Sequence, residues 1–112
     1  MLQWNKLDDI SQLDLLVEES YRMPVVLFKH STRCSISSAA LGRIQRGWTE
    51  EHMKAKAYYL DLITYREISN RIAQLFNIEH QSPQVIVIRK GKAVYDASHS
   101  MILPDELVPL FH

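Results

Sequence analysis

One cysteine in 112 residues leaves no partner for an internal disulfide, so a packed core must hold the fold and a reducing compartment is the expectation. Three glycines, none in a phosphate-loop pattern, leave no backbone cradle for nucleotide phosphates. Thirteen basic and thirteen acidic residues cancel, which gives no electrostatic ground for nucleic acid or an anionic membrane as partner. No apolar run approaches the roughly 18 residues of a membrane span. The opening residues reach Asp8 and Asp9 before any long apolar stretch, so no secretory signal is read. His52, His80, His99 and His112 show no ligand spacing that would complete a metal site with His30 and Cys34. No Ser/His/Asp constellation, internal repeat or low-complexity tract is present. The expectation is one soluble, cytoplasmic domain over residues 1–112, long enough to bury a core without staples.

What the chain does have is a clear succession of elements. Leu2, Trp4 and Lys6-Leu7 are read as a short first strand. Ser11 then caps a helix, with Asp14 as its capping-box partner and Ile10 and Leu15 as staple positions. Leu13, Leu16, Val17 and Ser20 share one face of it, and Asp14, Glu18 and Glu19 lie away from that face. Met23-Pro24 closes the helix, because the residue before proline is pushed out of the helical region. Val25 to Lys29 is apolar without alternation until the lysine, the pattern of a strand covered on both faces.

After Cys34, Ile36, Ala40, Ile44 and Trp48 recur at four-residue spacing. Gly42 and Gly47 weaken that helix, and Arg43, Arg46, Glu50 and Glu51 are read as its solvated face. Ala57 to Leu62 is the next strand, with Tyr58, Leu60 and Leu62 on one side. Thr64 and Glu67 form a capping box for a helix carrying Ile68, Ile72, Leu75 and Phe76, which stops at Asn77. Gln84 to Arg89 is a β-branched strand, Lys90-Gly91-Lys92 a tight turn, and Ala93 to Ala97 the antiparallel return. A short last helix starts near Pro104 and is limited by Pro109. Helical crossovers between apolar strands imply parallel central pairing, and the hairpin adds an antiparallel edge. The order resembles the thioredoxin architecture: an α/β, three-layer α/β/α sandwich whose mixed sheet ends in a C-terminal antiparallel hairpin.

Lys29 to Ser38, read Lys-His-Ser-Thr-Arg-Cys-Ser-Ile-Ser-Ser, is the junction between the central strand and the helix after it. Hydroxyl residues crowd it, as suits a helix start whose first N–H groups lack carbonyl partners. Those N–H groups and the helix dipole favour an anion placed just before them, and a cysteine sulfur can become that anion. Against this, a lone cysteine is often a small buried hydrophobe. His30 is read as packing or hydrogen bonding at the strand end. Lys29 and Arg33 are each read as holding an anion near the sulfur or as plain surface solvation. Cys34-Ser35-Ile36-Ser37 is a C-x-x-S, the monothiol version of a redox motif, which is weak by itself.

The stretch Phe28 to Ser38, with Ser-Pro-Gln-Val (82–85) and Lys-Gly-Lys-Ala-Val (90–94), resembles the monothiol bacilliredoxins of the YtxJ-like family. The resemblance implies a thioredoxin fold and a thiol-disulfide oxidoreductase that reverses bacillithiol mixed disulfides on cytosolic proteins. It carries over Cys34 as nucleophile, Ser37 as stand-in for a second cysteine, and Pro83 as the cis-proline against the cysteine turn. Thr32, Arg33, Ser35, Ser37, Ser82 and Pro83 are then the expected substrate-binding residues, with no metal. The family often has proline where this chain has Ser35, which adds an N–H near the sulfur. No tightly bound cofactor is implied; bacillithiol is a co-substrate. S-thiolated client proteins and a small thiol or reductase for regeneration are the partners. Two rivals stand beside this. One is a non-catalytic thioredoxin-like protein-binding module. The other is an iron–sulfur carrier like the monothiol glutaredoxins, whose C-G-F-S pattern Ser35-Ile36 does not reproduce.

Overall fold

The computed structural model describes residues 2–112. Five strands form one sheet in the order β1-β3-β2-β4-β5: β1 Asn5–Lys6, β2 Val25–His30, β3 Lys56–Asp61, β4 Gln84–Arg89 and β5 Lys92–Ser98. β3 runs parallel to both β1 and β2, while β4 is antiparallel to β2 and to β5. Three helices cover it: α1 Gln12–Glu19, α2 Ser35–Gly47 and α3 Arg66–Phe76.

Side-chain alternation along β2 divides the core in two. Val25 and Leu27 face α1 and α3, packing with Leu13, Leu16, Ile68 and Ile72. Val26 and Phe28 face α2, packing with Ala40, Ile44 and Trp48. Every residue of β2 is buried: Val25 to Phe28 as the apolar run required, and Lys29 and His30 in addition. The hairpin turn uses Lys90 and Gly91, both at positive φ (52° and 78°), the mirror-type turn that matches the twist of the flanking strands.

Several local expectations meet a different outcome. β1 is confined to Asn5–Lys6. Ser11 adopts helical backbone angles and its hydroxyl donates to Asp9, while Gln12 Oε1 receives the Asp8 and Asp9 N–H groups. Ile10 and Leu15 are half exposed, so they make no buried staple. Glu19 is buried, accepting from Tyr58 and Lys56, because the last turn of α1 lies over the sheet. Burial, then the Glu19 contact, pushes the Tyr58 phenol up to about 12. The α3 box does not form: Thr64 is drawn back to Asp61, and the helix begins at Arg66. Ile36 is 56% exposed and lies off the buried stripe of α2. Asn77 does stop α3 in the left-handed region, at φ 53°.

The C-terminal segment is a run of 3-10 turns, Pro104–Glu106 and Val108–Phe111, in place of a regular helix. It packs closely on α2: a Cβ built on Gly47 would lie 2.7 Å from Pro104 Cγ, so that glycine supplies room for a neighbouring chain. Arg43, expected on a solvated face, instead donates to the carbonyls of His99 (2.7 Å) and Ile102 (3.2 Å). His52 completes the clasp. Its Nδ1 accepts from the Thr49 N–H at 3.0 Å, which leaves Nε2–H to donate to the Pro104 carbonyl at 2.7 Å. His52→Leu would leave both groups without that partner in a partly buried setting. It is expected to cost about 1–3 kcal/mol per unpaired group, read as a lower denaturation midpoint at unchanged slope.

Candidate functional site

The end of β2 delivers the chain into a turn, Ser31-Thr32-Arg33, and Cys34 follows as the N-cap of α2 with extended backbone (φ −111°, ψ 122°). The Cys34 N–H donates to the Ser31 carbonyl at 3.1 Å, and its own carbonyl receives the Ser38 N–H at 3.0 Å. The backbone N–H groups of the first helical turn, Ser35 to Ser37, therefore gather beside Cys34, where helix geometry offers them no carbonyl. Cys34 is a free thiol and partly exposed. Thr32, Arg33 and Ser35 are exposed around it.

Ser37 is different. It is fully buried, with Oγ 2.6 Å from His30 Nδ1 and accepting the Ser31 N–H at 3.0 Å. Burial lowers the His30 pKa, opposed by the charge of Asp61, so the ring is neutral at pH 7. Since Ser37 Oγ already accepts from Ser31, its proton is assigned to His30 Nδ1, which leaves Nε2 as the protonated nitrogen. His30 stacks on Phe28 (5.8 Å between ring centres) and lies against Tyr59 (5.6 Å). Ser37 thus ties the strand end to the turn and the helix start. The expectation that its hydroxyl faces a substrate is corrected: the third residue of α2 points into the core. Ser37→Ala is expected to lower stability by about 1–3 kcal/mol, since the Ser31 N–H and His30 Nδ1 lose their shared partner. A thermal melt with Ser38→Ala, an exposed neighbour, as control measures it.

The loop before β4 comes to the same place. The β2–β4 register pairs Lys29 with Gln84; one residue further, Pro83 lies level with His30, and Ser82 with Ser31. The Ser82–Pro83 peptide is cis. Pro83 is buried and its carbonyl receives the His99 N–H at 3.2 Å. Among the described residues, Ser82 Oγ has no hydrogen-bond partner although the atom is buried. Thr32, Arg33, Cys34, Ser35, Ser82 and Pro83 are therefore brought to one end of the sheet by two adjacent strands.

Lys29 does not join them. It is fully buried on the opposite face of β2 from Phe28 and His30, with Nζ 2.7 Å from His80 Nδ1. The expectation of an anion-holding or solvated lysine is corrected by strand alternation, which turns residue 29 toward α3. Reading the polar contacts of Lys29, His80 and Gln84 required the pairing of strands distant in sequence. The one available signal was a lysine inside an otherwise apolar central strand. A cleft of about 460 Å³ lies elsewhere, at the ends of β1 and β3, walled by Trp4, Tyr59, Asp61 and Tyr65.

A family model described as monothiol bacilliredoxin BrxC matches residues 5–107. The chain belongs to that family. Its fold agrees with solved structures. One, described as having a thioredoxin fold, is 31% identical to this bacilliredoxin with a TM-score of 0.80, covering 93% of this chain and 89% of the other. Thioredoxin from Malassezia sympodialis has a TM-score of 0.72 at 16% identity, covering 96% and 87%. Fasciola hepatica thioredoxin has 0.71 at 15%, covering 95% and 94%. The last two share the fold. This bacilliredoxin is thus an α/β protein of thioredoxin fold in a family of thiol oxidoreductases.

Proposed function

We propose that this bacilliredoxin removes bacillithiol from S-bacillithiolated cytosolic proteins through a mixed disulfide on Cys34. The observation that carries the reading is the placement of the chain's only cysteine, partly exposed, at the N-cap of α2 beside the Ser82–Pro83 loop. The Cys34 thiolate attacks the bacillithiol sulfur of the client's mixed disulfide. The client sulfur leaves as a thiolate and is protonated, and Cys34 retains bacillithiol as a new disulfide. A second bacillithiol thiolate, or a partner reductase, then attacks that disulfide and frees Cys34, because the chain has no cysteine to resolve it internally. Electrons balance with one free thiol consumed per client restored and one small-molecule disulfide released.

The site supports this order of events. The first-turn N–H groups of α2, which have no carbonyl partner within the helix, lie at its Cys34 end. The exposed Thr32, Arg33 and Ser35 border the space in which a small thiol would sit, and the backbone of Ser82 borders it from the other side. Ser35, without the ring of a proline, keeps one more N–H at that position. Ser37 is buried and ties the strand end to the helix start, so Ser37→Ala should keep the transfer reaction while losing stability. No protein-held cofactor takes part, and we place the reaction in the cytoplasm, where thiols stay reduced.

Intact mass spectrometry of this protein and a modified client, followed over time, tests the reading. Clients carrying bacillithiol, glutathione or cysteine are run in parallel. The expected result is loss of one bacillithiol mass from the client and gain of the same mass here, faster than with the other two thiols. A client that stays modified with all three overturns the oxidoreductase reading in favour of a binding module.

A further inference from the structure

A lysine without solvent contact in the central strand of a sheet is costly unless its charge is matched. Lys29 is such a residue, at 0% exposure. The groups that face it come from three elements. His80, in the loop after α3, accepts from Nζ at 2.7 Å. Asp96 on β5 acts on it through charge, and β3 sets the apolar Leu60 beside it. His80 in turn lies 3.3 Å from Ser69 Oγ on α3 and feels the charge of Arg66 on the same helix. The rest of the loop is fixed by Gln84, whose Oε1 receives the Gln81 N–H (3.3 Å). Its Nε2 donates to the Glu79 carbonyl (3.0 Å) and to Asp96 Oδ2 (3.2 Å). Lys29 and Gln84 are partners across β2 and β4. Between them they grip the loop immediately before Pro83, from beneath.

We propose that Lys29 is a positioning residue: through its hydrogen bond to His80 it holds the Gln81–Pro83 backbone beside Cys34, and thiol transfer depends on that bond. The inference rests on the reading of Cys34 as the site of transfer. It goes beyond that reading by assigning a role to a buried group on the far side of β2.

The protonation states follow from the surroundings. Burial lowers Lys29 to about 8, against the pull of Asp96. Burial, then the charges of Lys29 and Arg66, lower His80. At neutral pH the ammonium donates to a neutral imidazole. Acidification protonates His80, turns Nδ1 into a donor, and sets two cations against each other. Above about pH 8 Lys29 loses its charge and the bond weakens. The effect on stability has the opposite sense. A lysine whose folded value lies below its unfolded one opposes folding in full below that folded value, and the opposition fades as pH rises toward 10.5. Lys29→Met should therefore melt at the same temperature or higher at pH 7. A lysine serving only the fold would lower melting temperature and activity together.

The experiment compares wild type, Lys29→Met, His80→Ala and His80→Gln. His80 is exposed; glutamine keeps an acceptor for Nζ and does not titrate, whereas alanine leaves Nζ without that partner, so its rates are taken at a temperature where its own melt shows it folded. Bacillithiol transfer from a modified client is measured from acid, below the free-imidazole range, to about one unit above the Lys29 value of about 8. Dividing the wild-type rate by the Lys29→Met rate at each pH removes every pH effect common to the two proteins. That ratio should be on the order of 10 to 100 at pH 7, as for a displaced reactive group, and should decline above about pH 8. His80→Ala should lose transfer similarly, and His80→Gln should recover it without the decline at acid pH. Alkylation of Cys34 by iodoacetamide, which needs no groove, should stay within about twofold throughout. As a readout independent of activity, backbone amide shifts of Gln81 and Ser82 should titrate near pH 8 in wild type and not in Lys29→Met. Unchanged transfer in Lys29→Met, parallel loss of transfer and melting temperature, or an amide titration that survives the substitution overturns the proposal. If wild type transfers no thiol at all, the oxidoreductase reading fails instead. The amide titration then decides by itself whether Lys29 controls the loop.

Discussion

Cys34→Ser is expected to reduce thiol transfer to the rate of the reaction without protein. An alcohol at pH 7 is neither ionised nor able to form a disulfide, so neither the attack nor the intermediate survives the change. Counting thiols sharpens the expectation. With one cysteine in the chain, attack on the client's own sulfur would give a protein–protein adduct with nothing internal to resolve it. Attack on the small thiol frees the client at once. Wild type should therefore accumulate a single-thiol mass on Cys34 and little adduct, and Cys34→Ser neither. The fold should remain, since the residue is partly exposed and the replacement close in shape, with stability within about 0.5 kcal/mol. Intact mass for the intermediate and a melt for the fold check both halves. Client restoration by Cys34→Ser at the wild-type rate would remove the basis for a catalytic cysteine.

Phe28→Ala should have the largest effect on stability. Phe28 has no solvent exposure, stacks between Trp4 (5.9 Å between ring centres) and His30 (5.8 Å), and sits in the central strand two residues before its end. Removing such a side chain costs transfer free energy and leaves a cavity, together about 3–5 kcal/mol. Against a total of about 5–15 kcal/mol for a domain, that is a large share. Phe28→Leu, which refills much of the space, should recover most of it. Urea denaturation with the slope held common gives both values. A loss for Phe28→Ala within about 1 kcal/mol would show that the α2-side core collapses to fill the space, contrary to dense native packing. The same substitution should loosen the junction, because the His30 ring that engages Ser37 rests on Phe28.

Legibility from sequence differed by element for physical reasons. Strands β2 and β4 were plain because burial on both faces leaves an unbroken apolar run. Asn77 was plain because a left-handed stop needs a residue that tolerates positive φ. The capping boxes at Ser11 and Thr64 were misread because each hydroxyl had a nearer aspartate, Asp9 and Asp61, to bond. Local competition of that kind depends on turn geometry that residue spacing does not encode. Glu19, Arg43 and His52 were read as surface or unassigned residues, and each proved to be tied to a partner at least 37 positions away. The candidate site divided in the same way. Cys34 at a strand-to-helix junction could be placed from pattern alone, since apolar run, hydroxyl cluster and helical spacing are all local.

The sequence by itself determined the order of the elements, the central buried strand and the position of the single thiol at the head of α2. It did so because hydrophobic period and helix-start chemistry act over a few residues. Only the tertiary structure decided which polar side chains serve the site from within. Alternation along β2 sends His30 toward Ser37 and Lys29 toward His80. Those destinations exist only once β4 is laid antiparallel to β2 and α3 is folded over the sheet. A lysine in a strand can end in water or in the core, and its cost in either place is set by neighbours more than fifty residues away.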